Sequence, residues 1–220
     1  MEYRHRMRER WATFDCYGTL IDWNGGIRRE LARVFGQERA DELLARYHEL
    51  EPGLEADGSR TYAEVMTETL RRLGAPAGEE DALVRSLPEW EPFPEVPAAL
   101  RELRGRGWWL AILSNTDPEL LAESRERIGV PFELGVVASE IGSYKPAHRH
   151  WEQFFTSTGA DRACHVHVAA SLFHDIAPAR ELGLTSVWIN RLGERPELEP
   201  TRELPDLGRL PDTLDELVPA

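Results

Sequence analysis

The chain has 220 residues, enough for one large domain or a domain carrying a smaller insert, with 26 Lys and Arg against 39 Asp and Glu and a formal net charge of −13. That balance repels nucleic acid and anionic membrane surfaces, and no apolar stretch is long enough to cross a bilayer, so a small anionic molecule held in a locally positive pocket is the expected partner. Cys16 and Cys164 make no disulfide framework, and the opening MEYRHRMRER lacks the apolar segment of a signal peptide, so a cytoplasmic protein is expected.

In chain order, Arg4, Arg6, Arg8 and Arg10 read as a solvated tail or the exposed side of an edge strand, and receive no function. The apolar run from Trp11 ends in Asp15 and is followed by a Gly-Thr turn. A strand ending this way delivers its carboxylate to the carboxyl edge of a sheet, where open α/β sheets bind ligands. The plain alternative is an Asp that caps the next segment. From Ile27 the pattern turns helical for some seventy residues. Ile27, Leu31, Val34 and Phe35 mark a first helix, Leu43, Tyr47, Leu50 and Leu54 a second, and Tyr62, Val65, Met66, Thr69, Leu70 and Leu73 a third. A weaker fourth spans 79–86.

WEPFPEVP then breaks helix. Beyond it the chain alternates: helix 95–103, strand 108–113, helix 119–128, strand 134–137, helix 147–155, strand 165–170, helix 175–182 and strand 185–189. Alternation of this kind predicts an α/β fold, a doubly wound Rossmann-like parallel sheet. The helical block reads as a cap inserted after the first strand, giving a core of residues 1–23 and 93–220 and a cap domain of residues 24–92. His165 and His167 share one strand face with no Cys or third His at ligand spacing, and read as core or edge residues. Trp108 and Trp109 read as packing, and Cys16 as a small core residue.

Four polar clusters each follow a strand or stand in the loop after one: FDCYGTLID around Asp15, LSNTD around Ser114, SYKP around Lys145 and ASLFHD around Asp175. Singly, each is an ordinary cap or a solvated loop residue. Together their order and spacing resemble the haloacid dehalogenase superfamily over essentially the whole chain. The resemblance implies that Asp15 is a covalent nucleophile, that Thr19 and Ser114 position it, that Lys145 neutralises the charge gathered there, and that Asp175 closes the cluster. The chemistry agrees: a carboxylate attacking carbon or phosphorus forms an ester that splits one displacement into two, and an adjacent ammonium keeps it ionised.

Phosphatases of the superfamily carry a second Asp two residues after the nucleophile and an acidic Mg²⁺ ligand four before the final Asp; here those positions are Tyr17 and Ser171. Both losses disfavour phosphoryl transfer. DxYGTL, SN and YKP are similar to the L-2-haloacid dehalogenase branch, which uses no metal or organic cofactor and commonly forms homodimers. That branch implies displacement of halide from the α-carbon of a 2-haloacid, with Asp175 or a water held by Ser171 activating the hydrolytic water. It also implies backbone and side-chain donors around Ser114 and Asn115 gripping the substrate carboxylate, Tyr17 and Trp151 on the substrate, and Arg46 in the cap receiving halide. Trp151 replaces the branch's tyrosine, and Leu172 stands where an amide is usual. His174 reads as a helix-start residue. The competing readings are a Mg²⁺-dependent phosphatase using Asp15 and Asp175, and a binding protein that kept the scaffold without turnover.

Overall fold

Arg10–Phe14 forms β1, an entirely buried strand at the centre of a six-stranded parallel sheet ordered β3-β2-β1-β4-β5-β6. The computed structural model describes residues 9–56, 58–195 and 198–220. The other strands are β2 (Trp108–Ser114), β3 (Leu134–Val137), β4 (His165–Ala169), β5 (Ser186–Ile189) and β6 (Arg202–Leu204). Helices α1 (Trp23–Phe35), α2 (Ala40–Glu55), α3 (Tyr62–Arg72) and α4 (Ala82–Ser86) all lie between β1 and α5 (Val96–Gly105). After β2 come α6 (Pro118–Ile128), α7 (Ala138–Ile141), α8 (Arg149–Thr158), α9 (Ala177–Glu181) and α10 (Leu210–Leu217). Strand order reverses between β1 and β4, so the crevice at the carboxyl ends of those two strands is the place where such a sheet binds ligands.

Alternation along the strands sorts the core into two faces. Ala12 and Phe14 of β1, Leu110 and Ile112 of β2, and Val166 and Val168 of β4 share a cluster with Val96, Leu100 and Leu214; the same cluster runs on into Ile27, Leu31, Leu43, Tyr47 and Met66 of the helical block. Trp11, Ala111 and Leu113 face the other way onto Trp151 and Phe154 of α8. Gly26 lets α1 lie flat on Trp90, because a Cβ there would fall 2.4 Å from the indole.

Several sequence expectations shift in detail. The weak helix at 79–86 is the short α4 followed by a single tight turn over Leu87–Glu89. The helix expected at 175–182 starts as a wide turn over Leu172–Ile176 before α9. The pattern reading missed β6 and α10; β6 is three residues long with no apolar alternation to detect. Arg10 is the clearest correction. It is buried on a central strand, where its guanidinium donates to Asp215 Oδ1 at 2.7 Å and lies 4.7 Å over the Trp108 ring; Arg4, Arg6 and Arg8 fall outside the described residues. Trp108 packs as expected, whereas Trp109 stays 42% exposed and stacks on Trp11.

One side chain ties the helical block to the sheet edge. Asp117, just past β2, accepts from the backbone N–H groups of Tyr62 and Ala63 at 2.8 Å each, and so caps the start of α3 from outside that helix. Thr61 and Glu64 add a reciprocal capping box. Asp117→Ala orphans one buried and one part-buried donor at a positive helix end and is expected to destabilise the protein by about 1–3 kcal/mol in chemical denaturation. Asp117→Asn, which keeps an acceptor, is expected to lose less.

Candidate active site

Asp15 follows β1 directly, and the chain then turns through Gly18, whose φ of 86° favours glycine. The turn brings Thr19 back under the carboxylate: its hydroxyl donates to Asp15 Oδ2 at 2.7 Å while its oxygen accepts from Ala170 N at 2.9 Å, linking the β1 and β4 loops. Lys145 arrives from the loop before α8. Its Nζ donates to Asp15 Oδ1 at 2.9 Å, Asp175 Oδ1 at 2.6 Å and the Leu113 carbonyl at 2.9 Å. Asp15 is 8% exposed, against 2% for Lys145 and 1% for Asp175, so the nucleophile candidate is the most accessible of the three.

Two buried carboxylates therefore share one ammonium. Burial alone would raise the Asp175 pKa, but the Lys145 charge and the His167 ring outweigh it and hold that carboxyl well below its usual range. Asp15 goes the other way: burial, with the Asp175 charge, raises its pKa despite Lys145 and Thr19. Burial opposes the Lys145 charge, yet the two carboxylates hold its pKa above the ordinary value. Asp15 is thus the more basic carboxylate of the pair, which suits a nucleophile.

Beneath this triad runs a polar chain that sequence reading took for plain packing. His167 Nε2 lies 3.0 Å from Asp175 Oδ1, and Thr13 Oγ1 lies 2.8 Å from both His167 Nδ1 and His165 Nε2. With both rings neutral, one arrangement makes all three contacts and leaves only His165 Nδ1 without a partner: His165 Nε2–H donates to Thr13, Thr13 O–H donates to His167 Nδ1, and His167 Nε2–H donates to Asp175. Burial pushes the His165 pKa down to about 3, consistent with a neutral ring. With Oδ1 held by Lys145 and His167, Asp175 Oδ2 is left with no partner. The signal in the sequence was the i, i+2 pair of histidines facing a Thr on the neighbouring strand.

The triad opens into a cavity of about 660 Å³. Its sheet side is lined by Ser114, Asn115, Ser171, His174 and Arg191, and its helical side by Trp23, His48, Glu51, Glu55 and Tyr62. Ser114 Oγ is buried there without a partner. Tyr17 offers its ring to the cavity, stacked on Tyr62, while its hydroxyl is tied to Ser124 at 2.9 Å. Ser171 caps the wide turn, bonding His174 N and Nδ1. Arg191, which sequence reading passed over, donates to the Thr19 carbonyl at 2.9 Å and Glu95 at 2.7 Å, and so braces the turn after Asp15.

Three expected substrate contacts are placed otherwise. Asn115 reaches the cavity, but its amide is spent on the Lys145 backbone: Oδ1 accepts from Lys145 N at 2.7 Å and Nδ2 donates to Lys145 O at 3.1 Å. It clamps the lysine loop. Trp151 is fully buried off the cavity, edge-on to His167 at 5.2 Å, because its helix turns that face to the sheet. Arg46 is exposed and lies off the cavity wall, since α2 presents His48, Glu51, Pro52 and Glu55 instead.

A family model described as haloacid dehalogenase-like hydrolase matches residues 10–183. An (S)-2-haloacid dehalogenase of Pseudomonas sp. strain YL is 29% identical over 218 residues, 90% of this chain and 87% of its own. A phosphoserine phosphatase of Thermus thermophilus is 31% identical over 178 residues, covering 76% of this chain and 69% of its own. The crystal structure of an L-2-haloacid dehalogenase superposes with a TM-score of 0.83 at 25% identity, over 94% of this chain and 99% of that one.

Proposed function

The chain belongs to the haloacid dehalogenase-like hydrolases, and from that premise we propose that it is a metal-independent hydrolase that displaces a leaving group from the α-carbon of a small carboxylic acid. The observation that carries this reading is the ammonium of Lys145 shared between Asp15 and Asp175, with Tyr17 where a phosphatase needs an acid. Halide is a weak base and departs without a proton, so no second carboxylate beside the nucleophile is required. The helical block of residues 24–92 acts as the cap that excludes water from the cavity.

Asp15 attacks the α-carbon in line; the C–O bond forms as the carbon–halogen bond breaks, and halide leaves with the electron pair. Thr19 and Lys145 hold the carboxylate in the attacking orientation. Ser114 Oγ, free of protein partners, donates to the substrate carboxylate. A water oriented by Asp175 Oδ2 then adds to the Asp15 carboxyl carbon, the ester opens, and a 2-hydroxy acid of inverted configuration leaves with a proton released. His167 serves as a positioning residue that keeps Asp175 Oδ2 turned to that water.

The phosphatase relative motivates a second reading, which the residues do not fit. Mg²⁺ needs near-octahedral oxygen ligation; Tyr17 offers a hydroxyl bonded to Ser124, Ser171 is engaged by His174, and among the described residues no three Asp, Glu, His or Cys side chains converge on a cation. The test is a parallel screen of 2-haloacids and aryl phosphates with and without chelator. Chelator-insensitive halide release is expected. Phosphate release that appears only with Mg²⁺ replaces this reading with the phosphatase, and a covalent adduct trapped on Asp15 eliminates the reading as a binding protein.

A further inference from the structure

The wall that α2 gives to the cavity is acidic. Glu51 and Glu55 are each 7% exposed and face the same space as Asp15. Glu51 Oε1 accepts from the Tyr47 and Tyr62 hydroxyls at 3.1 and 2.9 Å, and Glu55 Oε2 accepts from Asn115 Nδ2 at 3.4 Å, so one oxygen of each carboxyl remains without a protein partner. Neither forms a salt bridge with a described Lys or Arg. Among the described residues, the two Lys and Arg side chains on the cavity wall are committed elsewhere, Lys145 to Asp15 and Asp175, and Arg191 to Glu95.

Burying two carboxylates without a salt-bridge partner is costly unless they hold protons or receive a cationic ligand. Ser114, 1% exposed and next to the Asn115 that touches Glu55, lines the same cavity with its Oγ unpartnered; with that hydroxyl given to the substrate carboxylate, the α2 wall is left to the other end of the substrate. Pro52, also on the wall, supplies no N–H to the carbonyl of His48 one turn back, which leaves a further acceptor in the helix. The rings of Trp23 and Tyr62 line the same side, surfaces that attract cations.

We propose that Glu51 and Glu55 receive an ammonium group of the substrate, so that the acid attacked by Asp15 carries a primary amine beyond its α-carbon. An ammonium has three donors to spend on the free glutamate oxygens, whereas a divalent metal needs a fuller oxygen shell than these two side chains offer. The chemistry of attack rests on the reading above; the amine site stands on the α2 wall alone.

Burial pushes the Glu51 pKa up to about 7, and burial with the Glu51 charge pushes Glu55 to about 9. The groups facing them are Tyr47 and His48 on α2, Tyr62 on α3, Trp23 on α1, Asn115 after β2, and Tyr144 and Lys145 before α8. Burial raises the pKa of each of these tyrosines and lowers that of His48, and the Lys145 pKa is also raised, so Glu51 is the member that titrates near neutrality and Glu55 holds its proton to higher pH. A bound ammonium favours their ionised form and expels protons.

The experiment is calorimetry of the full-length protein with two unreactive ligands of equal size, 4-amino-2-hydroxybutanoate and 2-hydroxypentanoate, in two buffers of different ionisation enthalpy. The amine is expected to bind about tenfold tighter or more, with proton release. That advantage is expected to fall to about twofold or less in Glu51→Gln and Glu55→Gln, and to resist added Mg²⁺ or Ca²⁺. Equal or weaker binding of the amine to the wild-type protein overturns the proposal, a comparison that needs no variant to fold; so does an advantage unchanged in both variants, or competition by the metals. Halide release from 4-amino-2-chlorobutanoate and 2-chloropentanoate separates the two claims. Amine preference without halide release sinks the reaction and keeps the site, and halide release from both without preference does the reverse.

Discussion

Asp15→Asn is expected to lower halide release by about 10⁴-fold or more and to abolish the covalent adduct seen by mass spectrometry, while the protein folds at least as well as the parent. The amide has the size of the carboxylate, but its nitrogen and oxygen are not nucleophiles at neutral pH, so the covalent route closes. The stability half of this expectation follows from linkage. Burial and Asp175 raise the Asp15 pKa in the folded protein above its unfolded value. A carboxyl shifted that way contributes stability that is full below the unfolded value and is lost as pH rises through the folded one. At neutral pH the ionised Asp15 therefore strains the fold, and the neutral amide relieves it. Lys145 keeps Asp175 as its partner, and the buried cluster passes from a net charge of −1 to zero. Thermal unfolding should show an unchanged or higher midpoint at neutral pH, with the difference closing toward acid. The raised pKa also places the acid limb of wild-type activity at a higher pH than an ordinary aspartate would give. Variant activity within about tenfold of wild type would remove Asp15 from the chemistry.

The sheet and its charged strand ends were legible because strand ends in a parallel sheet are written locally: an apolar run, then a polar residue that has nowhere else to go. Asp15 and Ser114 follow that rule directly, whereas Asp175 stands in the wide turn after β4 and Lys145 in the loop before α8, and all four line one cavity. The phase of α2 was not legible. At about 100° per residue, Arg46 stands about 200° from His48 and about 140° from Glu51, on the far side of the helix from the cavity. The misreading arose because the inward face itself carries Glu51 and Glu55, so hydrophobic periodicity lost its contrast where the site is built. His167 was hidden for a related reason. Its partner Thr13 is adjacent only through strand pairing, a relation between residues 154 positions apart that one-dimensional spacing does not record. The Asn115 side chain stands in the expected place but clamps the lysine loop, because a side-chain amide near a substrate and one clamping a loop look alike until the acceptor is seen.

Lys145→Met is expected to reduce kcat by about 10²–10⁴-fold at neutral pH and to change the shape of the pH profile, because the variant leaves two buried carboxylates facing each other with no cation between them. Like charges in a shared buried site do not both ionise, so one proton is retained by the pair. His167 still donates to Asp175, which favours the anion there; the proton settles on Asp15, the carboxyl already raised in the parent. A protonated Asp15 does not attack. Activity of the variant should therefore climb with pH across the neutral range, up to about tenfold per unit while the ionised fraction limits the rate, where the wild-type profile is flat. The stability profile moves in the opposite sense. In the parent, Lys145 and His167 hold the Asp175 pKa below its unfolded value, which contributes stability above that unfolded value and loses it as pH falls through the folded one. In the variant the pair retains a proton, its folded pKa exceeds the unfolded value, and stability declines as pH rises. Denaturation at several pH values should therefore separate the two below about pH 4, where the parent loses the Asp175 contribution and the variant has none to lose, and should show the steeper decline toward neutral pH in the variant. Lys145→Arg keeps the charge but spreads it over a planar fork too wide for a slot that brings one nitrogen within 2.6–2.9 Å of three oxygens. It should restore the wild-type stability slope while recovering little of kcat, which separates the charge of Lys145 from its geometry.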